Sequence, residues 1–261
     1  MTYSHADRNF DGLADKFARK VYGGLKGEIR LAVIWRDLMA VMPSIESGPP
    51  LRILDIGGGL GQFAVRLAAL GHSVVYNDVS AEMYQKAQNL AQQQSLDTQI
   101  SWHHGPYQDL DNLGQFDLVL CHAVIEWLAH PGNLVAHIRR FVTEGGRLSL
   151  AFYNQNGLVY RNLIRGNFRL LEADFKPDVG SLTPIHPLLP AQVTAWLEAS
   201  ELSPCWSSGI RVFNDYVTTV RGGHEDPQSV IEMELKYSLI EPYKWLGRYI
   251  HFIAETERSR P

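Results

Sequence analysis

From Leu51 onward, short β-branched runs alternate with amphipathic segments, and this alternation limits the fold more than any other feature of the chain. Five runs come in succession and two follow near the carboxyl end: LRILDI, SVVYNDV, ISWHHG, FDLVLCHAV and RLSLAFY, then WSSGIRVF and RYIHFIAE. Strands that alternate with helices form βαβ units, which assemble a parallel sheet with helices on both of its faces. We therefore predict an α/β fold with a mostly parallel seven-stranded sheet.

The bulk composition narrows the range of partners. The chain has 261 residues, 45% of them hydrophobic, and a net charge of -4, so we expect one large domain with no overall attraction to polyanions. The opening MTYSHADRNFDGLADKF lacks the apolar core of a secretion signal, and no apolar run is long enough to cross a membrane, so a cytoplasmic location is expected. Cys121 and Cys205 have neither metal nor redox spacing, which predicts two reduced packing thiols and no metal site.

The strongest chemical signal is 53-ILDIGGGLGQ-62, where a predicted strand runs into a glycine-rich turn and then a helix. Glycines such as Gly57 and Gly58 let the backbone approach a ligand, and the start of the helix offers free N–H groups, so a nucleotide-like ligand is indicated. A dinucleotide fingerprint would need glycine at the position of Gln62. The spacing instead matches the acid-x-Gly-x-Gly-x-Gly motif of Rossmann-like S-adenosylmethionine (SAM) methyltransferases.

Polar residues follow the next predicted strands. Asp78 closes the second strand, where a carboxylate can accept hydrogen bonds from both ribose hydroxyls; an Asp there is also a common helix cap, for which Ser80 is the alternative. Gln108 follows the third strand, where adenine recognition is usual in this fold. His122 ends the fourth strand and is expected to face the cofactor or the acceptor, with a hydrogen-bonded structural histidine as the alternative.

Several segments outside the glycine motif are distinctive: 8-RNFDGLADKF-17, 26-KGEIRLAVIWRDL-38, 121-CHAVIEWLAHP-131, 150-LAFYNQNGLVYRNLIRGNF-168, 209-GIRVFNDYV-217 and 245-WLGRYIH-251. Together with the glycine motif they resemble the tRNA 5-carboxymethoxyuridine methyltransferase family across nearly the whole chain. The resemblance implies a Rossmann-like SAM-dependent methyltransferase fold. It also implies methylation of the carboxymethoxy group on the wobble uridine of certain tRNAs, in the anticodon region, to give the methyl ester.

The resemblance carries a set of SAM contacts to this chain, which by matching position are Arg30, Gly57, Gly58, Asp78, Tyr107, Gln108 and His122. The family pattern leads us to expect a small residue at position 107, so the contact expected from Tyr107 is a backbone contact to adenine. Arg30 fits physically, because an Arg fork can pair with the carboxylate at the methionine end of SAM. Its place near the N-terminus indicates that the N-terminal segment closes over the cofactor.

The expected organisation is a single methyltransferase domain, residues 1–261. Helical spacing of apolar residues within positions 10–42 predicts two helices in an N-terminal cap. The parts in order are the helical cap (1–48), a cofactor-binding half (51–153), an insertion after the fifth strand that binds substrate (154–190) and the carboxyl-terminal half of the sheet (191–261).

The implied acceptor is a carboxylate, which is ionised at neutral pH because its reference pKa is about 4. No general base is required, so catalysis rests on bringing the acceptor oxygen to about 3 Å from the methyl carbon and removing water. A cation is expected to hold one carboxylate oxygen and leave the other free. Candidates for this anchor lie at strand ends or in the insertion, namely Tyr153, Asn154, Arg211 and Arg248.

An RNA acceptor also needs contacts to phosphates and bases. Arg161, Arg165 and Arg169 recur every four residues and would share one face of a helix, unless Gly166 ends that face early. A second basic cluster lies in the cap and comprises Lys16, Arg19, Lys20 and Lys26. The alternative in both places is that the charges only keep a helix soluble.

Three other functions stay open from the sequence. The first is a SAM-dependent carboxyl or other O-methyltransferase that acts on a small molecule, with the insertion as a hydrophobic lid. The second is a non-catalytic SAM-binding regulator or partner subunit. The third is an NAD-dependent oxidoreductase, which Gln62 disfavours. The sequence predicts neither a membrane partner nor a metal, and it leaves the oligomeric state open.

Overall fold

The computed structural model describes residues 7, 11, 12, 15, 23–172, 184 and 186–257. The first predicted cap helix, within residues 10–21, lies outside the described residues apart from positions 11, 12 and 15. Lys16, Arg19 and Lys20 of the predicted basic cluster also lie outside them.

A single sheet forms the centre of the protein. Its strands are β1 Arg52–Ile56, β2 Ser73–Asp78, β3 Ile100–His104, β4 Phe116–His122, β5 Val142–Tyr153, β6 Ser203–Ile210 and β7 Tyr249–Glu255. Their order is β3-β2-β1-β4-β5-β7-β6. The first five strands pair in parallel, and β7 is antiparallel to both of its neighbours. The prediction of a mostly parallel seven-stranded sheet is therefore confirmed.

Helices cover both faces of this sheet. Those in the described residues are α1 Leu25–Val41, α2 Ser44–Ser47, α3 Gln62–Ala69, α4 Ala81–Gln93, α5 Pro131–Arg139, α6 Gln155–Ile164, α7 Phe168–Glu172, α8 Pro190–Ala199 and α9 Pro227–Tyr237. Successive residues of β1 belong to different apolar cores: Ile53 packs with α1, α3 and α4, whereas Leu54 packs with α5 and α8. Because parallel strands are covered on both faces, β4 is an almost continuous apolar run.

Two helix ends bear on the site. The helix α5 ends at Arg139, because Val142 already pairs with Phe116 of β4. In the insertion, α6 ends at Ile164, and Gly166 follows with a φ of 67°. This break matters for the basic residues, since it separates Arg161 and Arg165 at the end of α6 from Arg169 on α7.

None of the helices in the described part of the chain is long and apolar enough to span a bilayer. The same residues contain no group of three or more His, Cys, Asp or Glu side chains that could hold a metal ion. Cys121 and Cys205 are both free thiols, but only Cys121 is buried, so Cys205 does not have the packing role expected of it.

Candidate active site

The glycine-rich turn between β1 and α3 lies at the carboxyl edge of the sheet. Gly57 has a φ of 64°, in the region that favours glycine, and a Cβ there would collide with the side chain of Val124. A Cβ on Gly58 would lie 2.5 Å from the ring of Tyr76. Gly57 borders the cleft described below, whereas Gly58 donates its N–H to the carbonyl oxygen of Asn77 at 3.0 Å. The turn therefore presents backbone, with no side chain, to a ligand.

Asp78, at the end of β2, holds this turn in place. Its Oδ2 accepts a hydrogen bond from the N–H of Gly59 at 2.9 Å, and its Oδ1 accepts one from the N–H of Ser80 at 2.8 Å. Burial raises the pKa of Asp78, while these two bonds favour its ionised form. The cap of α4 is Ser80, whose hydroxyl accepts from the N–H of Met83. Asp78 is therefore not needed as the helix cap and borders the cleft.

An open cleft lies above these turns. Five of the seven predicted SAM contacts line it, namely Gly57, Asp78, Tyr107, Gln108 and His122. The cleft lies outside the carboxyl ends of β1, β2 and β4, which is where ligands bind in open α/β sheets.

The turn after β3 forms one end of the cleft. The half-buried ring of Tyr107 packs edge-on against His137, with 5.2 Å between the ring centroids. Gln108 Nε2 donates to Oδ2 of Asp7 at 3.1 Å, and Asp7 Oδ1 accepts from the N–H of Ala129 at 2.9 Å. Asp7 also lines the cleft, and sequence reasoning missed it because no motif marks that position. Its contacts are consistent with the expectation that the N-terminal segment reaches the cofactor.

His122, at the end of β4, both borders the cleft and is hydrogen bonded inside the protein. Its Nε2 lies 2.8 Å from Oγ of Ser149, and its ring packs edge-on against Phe63 with a centroid distance of 5.1 Å. Burial lowers the pKa of His122 well below its usual value, and the positive charge of Arg30 acts in the same direction. The ring is therefore neutral at neutral pH and offers a ligand one nitrogen rather than a positive charge.

Arg30 of α1 is close enough to act electrostatically both on His122 at the cleft and on a second group of charged residues. Its guanidinium carbon is 4.1 Å from the centroid of the Tyr249 ring, and the side chain is buried. The charge of Arg30 acts on the titration of His122, Glu126 and Arg211. Arg30 is thus close to both the cofactor side and the arginine-rich side of the site.

Three arginines converge on one carboxylate beyond Arg30. Arg211 Nη2 lies 3.5 Å and Arg248 Nε lies 3.8 Å from Oδ2 of Asp215, and the half-buried Arg161 acts on the same carboxylate. Burial acts to raise the pKa of Asp215, but the arginines outweigh it and hold that pKa below its usual value. We call Arg161, Arg211, Arg248 and Asp215 the arginine cluster. Its positive charges exceed its negative charge in a buried place, which favours the binding of an anion.

Two further features distinguish this cluster, namely the backbone conformation of Arg211 and the side chain of Tyr153 beside it. Arg211 has a φ of 59°, which is uncommon for a residue with a side chain and costs about 1 kcal/mol or more. The guanidinium carbon of Arg248 lies 4.8 Å from the centroid of the Tyr153 ring. The buried Tyr153 hydroxyl has no hydrogen-bond partner among the described residues. Two of the predicted anchors, Arg211 and Arg248, therefore meet, with Tyr153 beside them.

Asn154 has a structural role instead of the predicted one. Its Nδ2 donates to the carbonyl oxygens of Trp245 and Gly247, both at 2.8 Å, and its Oδ1 accepts from the N–H of Asn156 at 3.1 Å. The side chain is fully buried, and it joins the start of α6 to the segment before β7. Because these bonds occupy the whole amide, Asn154 has no free donor with which to hold an acceptor.

The other predicted basic residues lie farther out. Arg165 is exposed, yet its Nη2 donates to the carbonyl oxygen of Asp215 at 3.2 Å, so it leans toward the arginine cluster. Arg169 on α7 is exposed beside Phe168, which is 56% exposed. The three arginines do not form the single helical face that their spacing predicted.

The cleft fits SAM on its own chemistry, with a buried carboxylate for ribose hydroxyls, a turn without side chains and a neutral histidine. Residues 54–150 match the family model described as a methyltransferase domain. The chain is 39% identical over 258 residues to the tRNA 5-carboxymethoxyuridine methyltransferase of Escherichia coli (strain K12), covering 97% of this chain and 98% of that protein. The ubiquinone biosynthesis O-methyltransferase of Aromatoleum aromaticum is 29% identical over 119 residues, 44% of this chain and 49% of that one.

Among solved structures, magnesium protoporphyrin IX methyltransferase from Synechocystis PCC 6803 with bound SAH matches with a TM-score of 0.61. The match covers 95% of this chain and 96% of the other at 17% identity, and so shows likeness of fold. The fold and the cleft define a SAM-dependent methyltransferase with a Rossmann-like sheet, and the prediction of SAM as cofactor is confirmed. Identity that extends over both whole chains is more specific: the protein belongs to the tRNA 5-carboxymethoxyuridine methyltransferase family.

Proposed function

We propose that this protein methylates the carboxylate of 5-carboxymethoxyuridine at the tRNA wobble position. The observation that carries the proposal is the arginine cluster, where Arg211 and Arg248 share the single carboxylate of Asp215. Arg30 links this cluster to His122 at the cleft, so an anionic acceptor held there would lie close to the cofactor. Membership of the family supplies the identity of the acceptor.

Bound SAM supplies a methyl group on sulfonium sulfur, whose transfer to a carboxylate oxygen gives a methyl ester and S-adenosylhomocysteine without any proton transfer. The protein therefore has to position the acceptor rather than deprotonate it. The guanidinium groups of Arg211 and Arg248, with the Tyr153 hydroxyl, are the donors we assign to one acceptor oxygen. Asp215 keeps the two arginines partly engaged, at 3.5 and 3.8 Å, so they hold the acceptor without neutralising both of its oxygens.

We also propose that the insertion binds the anticodon region of the tRNA. Arg169 is exposed, and the aromatic rings of Tyr160 and Phe168 are 43% and 56% exposed on the same segment. Exposed aromatic and arginine side chains are the groups on which unstacked bases and phosphates bind. Lys26, whose Nζ lies 3.9 Å from Asp215 Oδ1, adds a charge at the rim of the arginine cluster. A tRNA substrate makes the cytoplasm the expected location.

The direct test incubates the protein with methyl-labelled SAM and tRNA that carries 5-carboxymethoxyuridine. We expect label to enter the tRNA and to be released by mild base, because the product is an ester. A tRNA with unmodified uridine at the same position is the control and should stay unlabelled. Absence of transfer to the modified tRNA, or transfer of a base-stable methyl group, would contradict the proposal. Transfer to a small carboxylic acid in preference to tRNA would favour the small-molecule alternative.

A further inference from the structure

A buried chain of hydrogen bonds leads from the cleft into the protein. His122 Nε2 lies 2.8 Å from Ser149 Oγ, which lies 2.7 Å from His251 Nε2, and His251 Nδ1 lies 2.7 Å from Asp37 Oδ2. All four side chains are buried, and the residues come from α1, β4, β5 and β7. Only His122 borders the cleft. We call Asp37, His251 and Ser149 the relay.

Asp37 is the last residue in this series of hydrogen bonds and is held in place by two further donors. Its Oδ1 accepts from Nε of Arg36 at 2.7 Å, and its Oδ2 accepts from the hydroxyl of Ser208. Burial alone would raise the pKa of Asp37, but His251, Arg36 and Ser208 together lower it, so the carboxylate is ionised. An ionised carboxylate only accepts hydrogen bonds, which fixes the direction of the chain at this end.

The direction of the other two bonds depends on the protons of His251. A neutral His251 carries its proton on Nδ1, facing Asp37, and its Nε2 is an acceptor, whereas a doubly protonated His251 would donate to Ser149 and reverse both bonds. With a neutral His251, Ser149 donates to His251, and its oxygen accepts from His122. A neutral His122 that donates from Nε2 has no proton on Nδ1. That nitrogen has no hydrogen bond among the described residues, and its ring borders the cleft.

We propose that His251 is neutral and that the relay holds His122 in the Nε2–H tautomer, so that Nδ1 accepts a hydrogen bond from the ammonium group of the methionine part of SAM. Asp37, His251 and Ser149 are thus positioning residues that act through His122. The opposite tautomer would present an N–H to the cleft, which suits the carboxylate of the same ligand rather than its ammonium.

One helix face serves both charged groups of the methionine part in this arrangement. Arg30 and Asp37 are seven residues apart on α1, two helical turns, and both lie on its buried face. Arg30 supplies positive charge beside His122, where the carboxylate is expected, and Asp37 fixes His122 as an acceptor. The inference rests on SAM as the cofactor and not on which acceptor is methylated.

Asp37→Asn is the sharpest test because its effect has a direction. Arg36 Nε keeps the carbonyl oxygen of the new amide on its own side, so the NH₂ group replaces Oδ2 and donates to His251 Nδ1. The proton of His251 then moves to Nε2, the bond to Ser149 reverses, and His122 becomes the Nδ1–H tautomer. Nuclear magnetic resonance of ¹⁵N-labelled histidines at pH 8 distinguishes the two tautomers, and His122→Asn identifies the His122 signals by their loss.

We expect wild-type protein to show an unprotonated Nδ1 on His122, and Asp37→Asn to show a protonated one with SAH binding about tenfold weaker by calorimetry without RNA. His122→Asn keeps an acceptor near the Nδ1 position that no longer depends on the relay. Adding Asp37→Asn to it should therefore cause no further loss of SAH binding. Ser149→Ala, which breaks the chain without a change of charge, should leave His122 as a mixture of tautomers and also weaken binding.

The proposal is overturned if wild-type His122 carries its proton on Nδ1. It is also overturned if the relay variants weaken SAH binding while the tautomer stays unchanged, because that result belongs to a merely structural role. If Asp37→Asn does not fold, the wild-type spectrum and Ser149→Ala decide the question in the same way. Failure of methyl transfer to tRNA in the earlier test would leave these binding results unaffected.

Discussion

The N–H of Arg248 donates to the carbonyl oxygen of Arg211 at 3.2 Å, and this bond brings together two arginines that are 37 positions apart in the chain. Arg211 follows the end of β6 and Arg248 precedes β7, so the antiparallel pairing of these strands puts both at the same edge of the sheet. That edge is also where β4 and β5 end, with His122 and Tyr153. The arginine cluster and the cofactor cleft therefore share one edge.

Removing either arginine of this pair should impair methyl transfer and spare cofactor binding. We expect Arg211→Gln and Arg248→Gln each to lower kcat/KM for modified tRNA by about 100-fold, because a lost charged hydrogen bond at a buried site costs about 2–5 kcal/mol. SAH affinity by calorimetry should change by less than about threefold, which is under 1 kcal/mol. Arg140→Gln, on the opposite edge of the sheet, is the matched control. Equal losses of SAH binding and activity would place these arginines in the cofactor site instead.

Asp78→Asn should weaken the binding of the cofactor. The carboxylate accepts from the N–H groups of Gly59 and Ser80, and an amide cannot accept from both at once. Hydrogen bonds to a charged group contribute about 1.5–3 kcal/mol, so SAH affinity should fall by about 10- to 100-fold. Asp111→Asn, an exposed change with the same loss of charge, should leave the affinity measured by calorimetry as it is in the wild type. Unchanged affinity in Asp78→Asn would contradict the ribose assignment.

Glu126 should make the protein less stable as the pH rises. Burial raises the pKa of its carboxyl to about 8, and Arg30 offsets this only in part. The folded state then binds a proton that the unfolded state releases above pH 4.5, so the stabilising contribution is complete below that pH and is lost as the pH rises through about 8. Relative to wild type, Glu126→Gln should gain up to about 1.4 kcal/mol in free energy of unfolding per pH unit across this window.

Urea unfolding at pH 6, 7 and 8 measures that difference. Burial and Asp78 raise the pKa of Asp55 to about 7, so Asp55 also makes the free energy of unfolding fall as the pH rises. This contribution is the same in wild type and in Glu126→Gln, and it cancels when one free energy of unfolding is subtracted from the other. Glu232→Gln on the exposed side of α9 is the control for the loss of one negative charge. A difference between Glu126→Gln and wild type that is constant with pH would show that Glu126 ionises normally in the folded state.

Arg169→Gln should weaken tRNA binding and leave cofactor binding unchanged. An exposed arginine that contacts a phosphate releases counterions on binding, so its loss should lower tRNA affinity and reduce the slope of log affinity against log salt by about 1. Filter binding over a range of salt concentrations measures both quantities. Arg140→Gln is again the control, because α5 carries it to the edge of the sheet away from the cleft. A slope equal to that of the wild type would remove Arg169 from the RNA interface.

Sequence reasoning predicted the sheet and the cofactor turn because both depend on local patterns. The alternation of strands and helices, and the run of glycines after β1, are written in consecutive residues. Asp78 and His122 were predicted to face the cleft for the same reason, since each ends a recognisable strand, and both border it. Asp7 was missed because its contact with Gln108 joins positions 101 residues apart and no pattern marks it.

The sequence by itself determined the class of fold, the turn that receives the cofactor and the set of residues from which an anion site could be built. Only the tertiary structure decided which of those residues meet. It assigned Asn154 to the start of α6, separated Arg169 from Arg161 at Gly166, and gathered Arg211 and Arg248 around Asp215. The physical reason is that periodicity and turn chemistry act between near neighbours, whereas hydrogen bonds and ion pairs depend on distances that strand pairing sets.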